Sequence, residues 1–156
     1  MSEPVNAAIE KALLDKAIAF ASNQSLKIAL QNGVGTDGRH FKKPEPSKTV
    51  SWLRATVLPA PAITSGISYT AHVKHYGLLQ IDVIRGEGGG TAEMARIVSA
   101  IRAFFPMGLR LTEGDFVVEV NPYAMRVVAQ GPLMNDSPGW VKIPVSVPWI
   151  CFEKPA

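Results

Sequence analysis

The residues whose types could do chemistry fall into a few groups. The first is Arg85-Gly86-Glu87-Gly88-Gly89-Gly90-Thr91, a glycine-rich string between an alternating apolar run and a helical pattern. Such a turn at a helix N-terminus can cradle phosphate on its backbone N–H groups. The Lys-Ser/Thr ending of a phosphate-binding loop is missing, the glycine spacing of a dinucleotide turn is not met, and Glu87 would repel phosphate. The string reads as a flexible connection. The second group is His72-x-x-His75, with Asp82 further along. A metal needs three or four converging ligands, and the remaining ones have no obvious candidate. Cys151, the single cysteine, has no His or Asp beside it and sits on the apolar parity of its segment. It reads as a small hydrophobe rather than a nucleophile, and it excludes an internal disulfide. Glu113-Gly114-Asp115 lies between Leu111 and Phe116 and reads as a hairpin turn, with Gly114 supplying the unusual dihedrals. No strained nucleophile-elbow pattern occurs. The residues therefore predict no catalytic, cofactor-binding or metal-binding site, and no enzyme.

The elements that would position these groups follow from hydrophobic periodicity. Ile9, Leu13, Ala17 and Phe20 recur at spacings of three and four, which predicts an amphipathic helix from Ser2 to about Ser22. Ser2 can cap it, and Pro4 is tolerated in a first turn. A second helix is expected from Ala92 to Phe105, with Thr91 as N-cap, Glu93 in the first turn, and Pro106 with Gly108 ending it. Strands are expected at Leu26–Gln31, Ser51–Leu58, Leu78–Arg85, Asp115–Asn121, Met125–Gln130 and Trp140–Phe152. Their period-2 alternation implies a sheet with one buried face. The expected fold is α+β: one two-layer domain over 1–156, with a mixed or antiparallel sheet of about five to six strands and two main helices on one face.

Two segments, at about 32–48 and 59–75, are longer than ordinary connections and are expected to be surface loops or segments ordered by a partner chain. In the last strand Pro144 and Pro148 share a parity with Lys142 and Ser146. Their missing donors lie along one lateral edge, which predicts a strand at the border of its sheet. The parity of Trp149 predicts a core position; Trp52 and Trp140 are open between core and interface.

Composition bounds the partners. The chain has 156 residues, 47% hydrophobic and 19% charged, with 16 Lys plus Arg against 13 Asp plus Glu. A surplus of +3, with no basic run longer than Lys42-Lys43, does not form the concentrated stripe of a nucleic-acid binder. No stretch reaches the roughly 20 apolar residues of a membrane helix, and the start lacks a secretory pattern. A soluble chain made in the cytoplasm is expected.

The order of motifs resembles a known family. Trp52-Leu53-Arg54-Ala55 and Gly77-Leu78-Leu79-Gln80-Ile81-Asp82-Val83 are followed by the glycine-rich turn and a helix ending Ile101-Arg102-Ala103-Phe104-Phe105-Pro106. A Leu111…Gly114-Asp115…Val118 hairpin and the closing Ile143-Pro144-Val145-Ser146-Val147-Pro148-Trp149 complete the set. This order is similar to the tail terminator-like proteins of long-tailed (siphovirus-type) phages, related in fold to the lambda tail terminator. The resemblance covers about two thirds of the chain, from Thr49 to Phe152. It implies a ring, hexameric in the family, that caps the tail tube, stops its polymerisation and offers a docking surface to the head-completion or stopper protein of the neck. It also implies that DNA passes through the lumen without specific binding, that no cofactor is needed, and that the protein resides at the head-proximal end of the virion tail after assembly in the host cytoplasm.

A ring of identical subunits needs head-to-tail contacts that close by rotation, and long loops reaching a neighbour can supply them. The expected interface residues are Arg39, Phe41, Lys42 and Lys43 in one loop and Tyr69, His72, Lys74 and His75 in the other. Two further readings stay open: another phage neck or tail-completion component, and an unrelated small enzyme or ligand-binding domain.

Overall fold

The structure, a computed structural model, describes residues 4–31, 33–46, 50–61, 63–65, 72–120 and 129–153. The first helical pattern forms α1 (Val5–Asn23), which buries Ile9, Leu13, Ala17 and Phe20 together with Ala8, Ala12, Leu14 and Ala21. Pro4 takes the N-cap position with an extended backbone, and no described side chain caps the helix; Ser2 lies outside the described residues. Its other end closes without glycine. Ser25 adopts φ +56° while Leu26 N–H donates to the Ala21 carbonyl and Ser25 N–H to that of Ser22, a left-handed terminal turn built on serine. The second helix, α2 (Ala92–Phe104), buries Met94, Ile97, Val98 and Ile101, with Glu93 in the first turn. Thr91 is its N-cap but makes no side-chain cap bond.

The strands are β1 (Lys27–Leu30), β2 (Ser51–Pro59), β3 (Ile63–Ser65), β4 (His72–Gly86), β5 (Leu109–Glu113), β6 (Phe116–Val120), β7 (Ala129–Gln130), β8 (Met134–Ser137) and β9 (Trp140–Glu153). They form one sheet with the path β1-β2-β4-β9-β6-β5; β3 pairs with β4, and β7 and β8 pair with β9. Only β1 and β2 run parallel, so the sheet is mixed as expected. The path has six strands; β5 enters as the first arm of the expected hairpin at Gly114, and β3 and β8, each too short to show alternation, add to what periodicity predicts.

Both helices pack on one face. The core joins the α1 and α2 residues above to Leu53, Ala55, Leu79, Ile81, Val83, Ile143, Val145, Val147, Trp149 and Cys151, the odd-numbered positions of β2, β4 and β9. Phe20 and Phe104 lock the helices edge to face at 5.4 Å, with Lys16 4.0 Å from the Phe104 ring. Gly77 on β4 has no room for a side chain between β2 and β9. A Cβ there would collide with the Leu58 carbonyl and lie 2.9 Å from both Pro59 Cα and Trp149 Cζ2. The β5–β6 hairpin turns at Gly114, φ +58°, as its sequence requires.

The border expectation for the last strand is corrected. β9 is central: it pairs with β4 along its whole length and with β8, β7 and β6 on its other edge. The prolines nevertheless have a consequence. Gly131 N–H donates to the Pro144 carbonyl at 2.8 Å, so Pro144 faces β7. In an antiparallel strand a residue's N–H and C=O share an edge, so the missing donors of Pro144 and Pro148 fall on that side. Pro144 lies between the pairing of β8 with 140–142 and that of β7 with 145–146, and β6 pairs further along the same edge with 149–151.

The loop expected at 59–75 is also corrected. β2 and β4 continue into it, and β3 pairs with His72–Lys74, so much of the span is a hairpin.

Candidate functional site

The helix-free face of the sheet carries the even-numbered positions of β2, β4 and β9, and it divides into three zones. At one end Trp52, Ile84, Trp140 and Ala29 form a second apolar cluster. Segment 33–46 folds over it. Val34 and His40 form a bridge, Gly35 N–H donates to the Arg39 carbonyl at 2.7 Å, and Phe41 N–H to the Gly33 carbonyl at 2.7 Å. This tight turn lays the Phe41 ring on Trp52 at 4.8 Å, with Trp140 edge-on to Trp52 at 6.0 Å. Trp52 and Trp140 are therefore buried by the chain's own segment. Periodicity could not foresee this, because the covering residue lies in an irregular stretch.

The middle zone is ionic. Arg54 Nη2 lies 2.9 Å from Asp82 Oδ2 and 2.9 Å from Asp136 Oδ1, and its Nε donates to Asp82 Oδ2 at 3.2 Å. Gln80 Nε2 donates to the second Asp82 oxygen at 2.9 Å. Lys43 and Lys142 each stand 3.8 Å from Asp136, and Lys43 also donates to Ser137 Oγ at 2.8 Å. The side chains of Asp82 and Asp136 are only 3% and 8% exposed. Burial would raise the Asp136 carboxyl, but hydrogen bonding and charge from Arg54, then the charges of Lys142 and Lys43, outweigh it and hold the group below the usual carboxylate range. Burial likewise opposes the charge of Arg54, and the two carboxylates override it and raise its pKa. The network ties segment 33–46 and β8 to the sheet. Sequence reasoning missed it; the available signal was Arg54 and Asp82 occupying the even parity of neighbouring strands.

The third zone is open and apolar. Leu58 faces Leu78 and Leu78 faces Pro148 across three strands. Leu58, Leu78, Val117 and Phe152 are 42%, 39%, 43% and 47% exposed. Lys74 reaches over Tyr76, 5.6 Å from its ring centroid. This is the end of the sheet beyond which the β3–β4 hairpin extends.

The predicted interface residues separate accordingly. Arg39 and Lys42 are exposed and border a cleft of about 350 Å³ with Lys27 and His40. Phe41 is turned inward and Lys43 is engaged in the ionic network. Lys74 and His75 lie on β4 at the opposite end, and His72 pairs there with Ser65. Tyr69 lies outside the described residues. Ile84 and Lys74 are ten β4 positions apart, roughly 33 Å at the usual strand rise, so the two groups do not form one site.

The chemistry candidates disperse too. His72 and His75 lie on β4, while Asp82 belongs to the Arg54 network. Among the described residues no group of three or more His, Cys, Asp or Glu side chains could hold a metal. Cys151 is buried in the core. In the glycine-rich string Glu87 N–H donates to the Gly139 carbonyl, and buried Arg85 stands 3.8 Å from Glu93 at the start of α2. No helix is long and apolar enough to cross a membrane among the described residues.

Comparison with known proteins fits these features. A search of curated proteins gives no match. One solved structure, 23% identical, superposes with a TM-score of 0.64 over 94% of this chain and 92% of its own. A chain of the virion of a native gene transfer agent particle, 12% identical, gives 0.54 over 97% and 99%. These likenesses show a shared fold. The sequence itself matches the phage tail terminator protein family over residues 5–149, nearly its whole length. The chain belongs to the phage tail terminator protein family, a structural component of the virion that acts in tail completion.

Proposed function

We propose that this protein forms a closed ring, hexameric as the family resemblance implies, that caps the tail tube, halts its polymerisation and docks the neck. The observation that carries the reading is the family match over residues 5–149. The surface supports it: the helix-free face is closed by the chain's own residues at one end and left apolar at the other. A ring contact is heterologous, joining two different patches, and an exposed apolar strip at one end of the sheet with a basic rim at the other supplies two such patches. Leu58, Leu78, Val117 and Phe152 form the first; Arg39 and Lys42 contribute to the second. Lys74 borders the first patch on β4; His72, His75 and Tyr69 are proposed as further contacts of the ring, and Phe41 and Lys43 act by shaping the segment that carries the second. DNA traverses the lumen without being gripped, consistent with a surplus of only +3. The partners are further copies of the chain, the tube protein and the head-completion protein, met at the head-proximal end of the tail.

Electron microscopy of tails assembled with and without the protein tests this. Uniform tubes with it and overlong tubes without it are expected. The double variant Leu58→Asp, Leu78→Asp should stay folded by circular dichroism yet give neither rings nor length control. Normal tube lengths in the absence of the protein would defeat the terminator role, and normal rings from the variant would defeat the assigned contact.

A further inference from the structure

We propose that the basic cleft beside β1 receives the tip of the β5–β6 hairpin of a second copy of this chain. The pairing presupposes the head-to-tail ring and supplies the opposite charges that close it. The cleft, about 350 Å³, is walled by β1 and segment 33–46 and lined by the exposed side chains of Lys27, Arg39, His40 and Lys42. Lys11, Lys43 and Lys142 are in ion pairs, and Lys16 and Lys74 lie over aromatic rings. Among the described residues the two lysines without a partner are therefore Lys27 and Lys42, and both line this cleft. The acid on its wall, Asp37, has one oxygen tied to the turn, where Oδ1 accepts the Arg39 N–H at 3.0 Å. Uncompensated positive charge around a concave site selects an acidic occupant.

The hairpin tip lies at the diagonally opposite corner of the sheet. β1 and β5 are the two ends of the strand path, five strand spacings or roughly 24 Å apart. Lys27 is level with Lys142 of β9, through Trp52 and Ile84, whereas Val118 is level with Cys151. Those two positions on β9 are nine residues, roughly 30 Å, apart. The tip does not reach its own cleft, so a contact between these corners joins different patches of two copies, as a head-to-tail ring requires. The tip is also narrow, a two-residue turn of Gly114 and Asp115 between the paired Glu113 and Phe116. It runs past the pairing of β6 with β9, which spans 118–120. Its charge is opposite to that of the cleft: β5, the turn and β6 carry Glu113, Asp115 and Glu119 against Arg110. Glu113 already meets Lys11 at 3.0 Å, while Asp115 is exposed and has no ion pair among the described residues. Asp115 is therefore the charge the tip presents. Val117 of the same hairpin belongs to the open apolar strip, so strip and tip reach a neighbour together.

Charge reversal in the full chain tests the pairing. Arg39→Glu with Lys42→Glu inverts the cleft, and Asp115→Lys inverts the tip. All three positions are exposed and Asp115 has no left-handed backbone, so circular dichroism should show unchanged folding. Each variant alone should associate at least tenfold more weakly than the unaltered chain, by sedimentation and by incorporation into assembled tails, because like charges then face each other. Mixed in equal amounts, the two variants should associate again, since every contact once more joins opposite charges. Native mass spectrometry should then find equal numbers of each in the ring. Rings that form from either variant alone, or a mixture that stays apart while the unaltered chain makes rings, would overturn the pairing and leave the ring standing. A cleft reversal that spares rings but blocks tail joining would overturn it too, and give the cleft to another tail protein. Mixtures that associate only as pairs of chains would uphold the pairing and sink the ring. An unaltered chain that stays monomeric alone and on tails would overturn both.

Discussion

Replacing Arg54 with methionine removes the one cation that bridges two buried carboxylates. Asp136 would keep Lys43 and Lys142 at 3.8 Å, but Asp82, 3% exposed, would keep only the Gln80 amide at 2.9 Å. Breaking a buried pair by removing one partner costs about 3–5 kcal/mol, because the stranded charge stays desolvated. The expected loss is therefore about 3–5 kcal/mol at pH 7, a fall in melting temperature on the order of 10 °C for a chain of this size. The sign of the pH dependence follows from the same groups. Asp136 has a folded-state pKa below its unfolded value, so its contribution is full above the usual aspartate range and fades as acid protonates it. Urea unfolding at pH 7.5 and pH 3.5, followed by tryptophan fluorescence, should show the deficit of Arg54→Met shrinking toward the lower pH. A deficit below about 0.5 kcal/mol at both values would mean that water screens the network as it does a surface pair, and the reasoning would fail. A deficit that grows with acid would fail it as surely.

Two more outcomes follow from backbone geometry. Ser25→Gly relieves a left-handed serine at the end of α1 and should raise stability by about 1 kcal/mol, or roughly 2–4 °C by calorimetry; no gain would mean that the serine is unstrained. Gly77→Ala forces a methyl into the Leu58 carbonyl, Pro59 and the Trp149 ring, and should cost more than about 2 kcal/mol in urea unfolding, well beyond an ordinary overpacked site if β2 cannot move away. A neutral result there would show that the strands part easily.

Much of the fold was legible because it is local. The spacing of Ile9, Leu13, Ala17 and Phe20 defines a helix and its buried face within one stretch of chain, and the structure keeps both. The parity of Val145, Val147, Trp149 and Cys151 likewise separates core from solvent within a single strand, and Gly114 marks its hairpin by conformational need alone. The family order of these pieces could also be read directly, since it depends only on their succession.

Periodicity says which face a residue takes and nothing about which strand lies beside it. The same prolines that suggest a border strand sit in a central one, because a second strand can pair along their edge on either side of a missing donor, as β8 and β7 do around Pro144. Trp52 and Trp140 stayed undecided until Phe41 arrived from an irregular segment to cover them. Arg54, Asp82 and Asp136 come from β2, β4 and β8, so only folding makes them one network. The open strip shares that origin, since it needs three strands side by side. Local sequence determines a residue's conformation and its face; the neighbours that bury it, pair with it or leave it open are set by contacts between distant parts of the chain, which only the tertiary structure supplies.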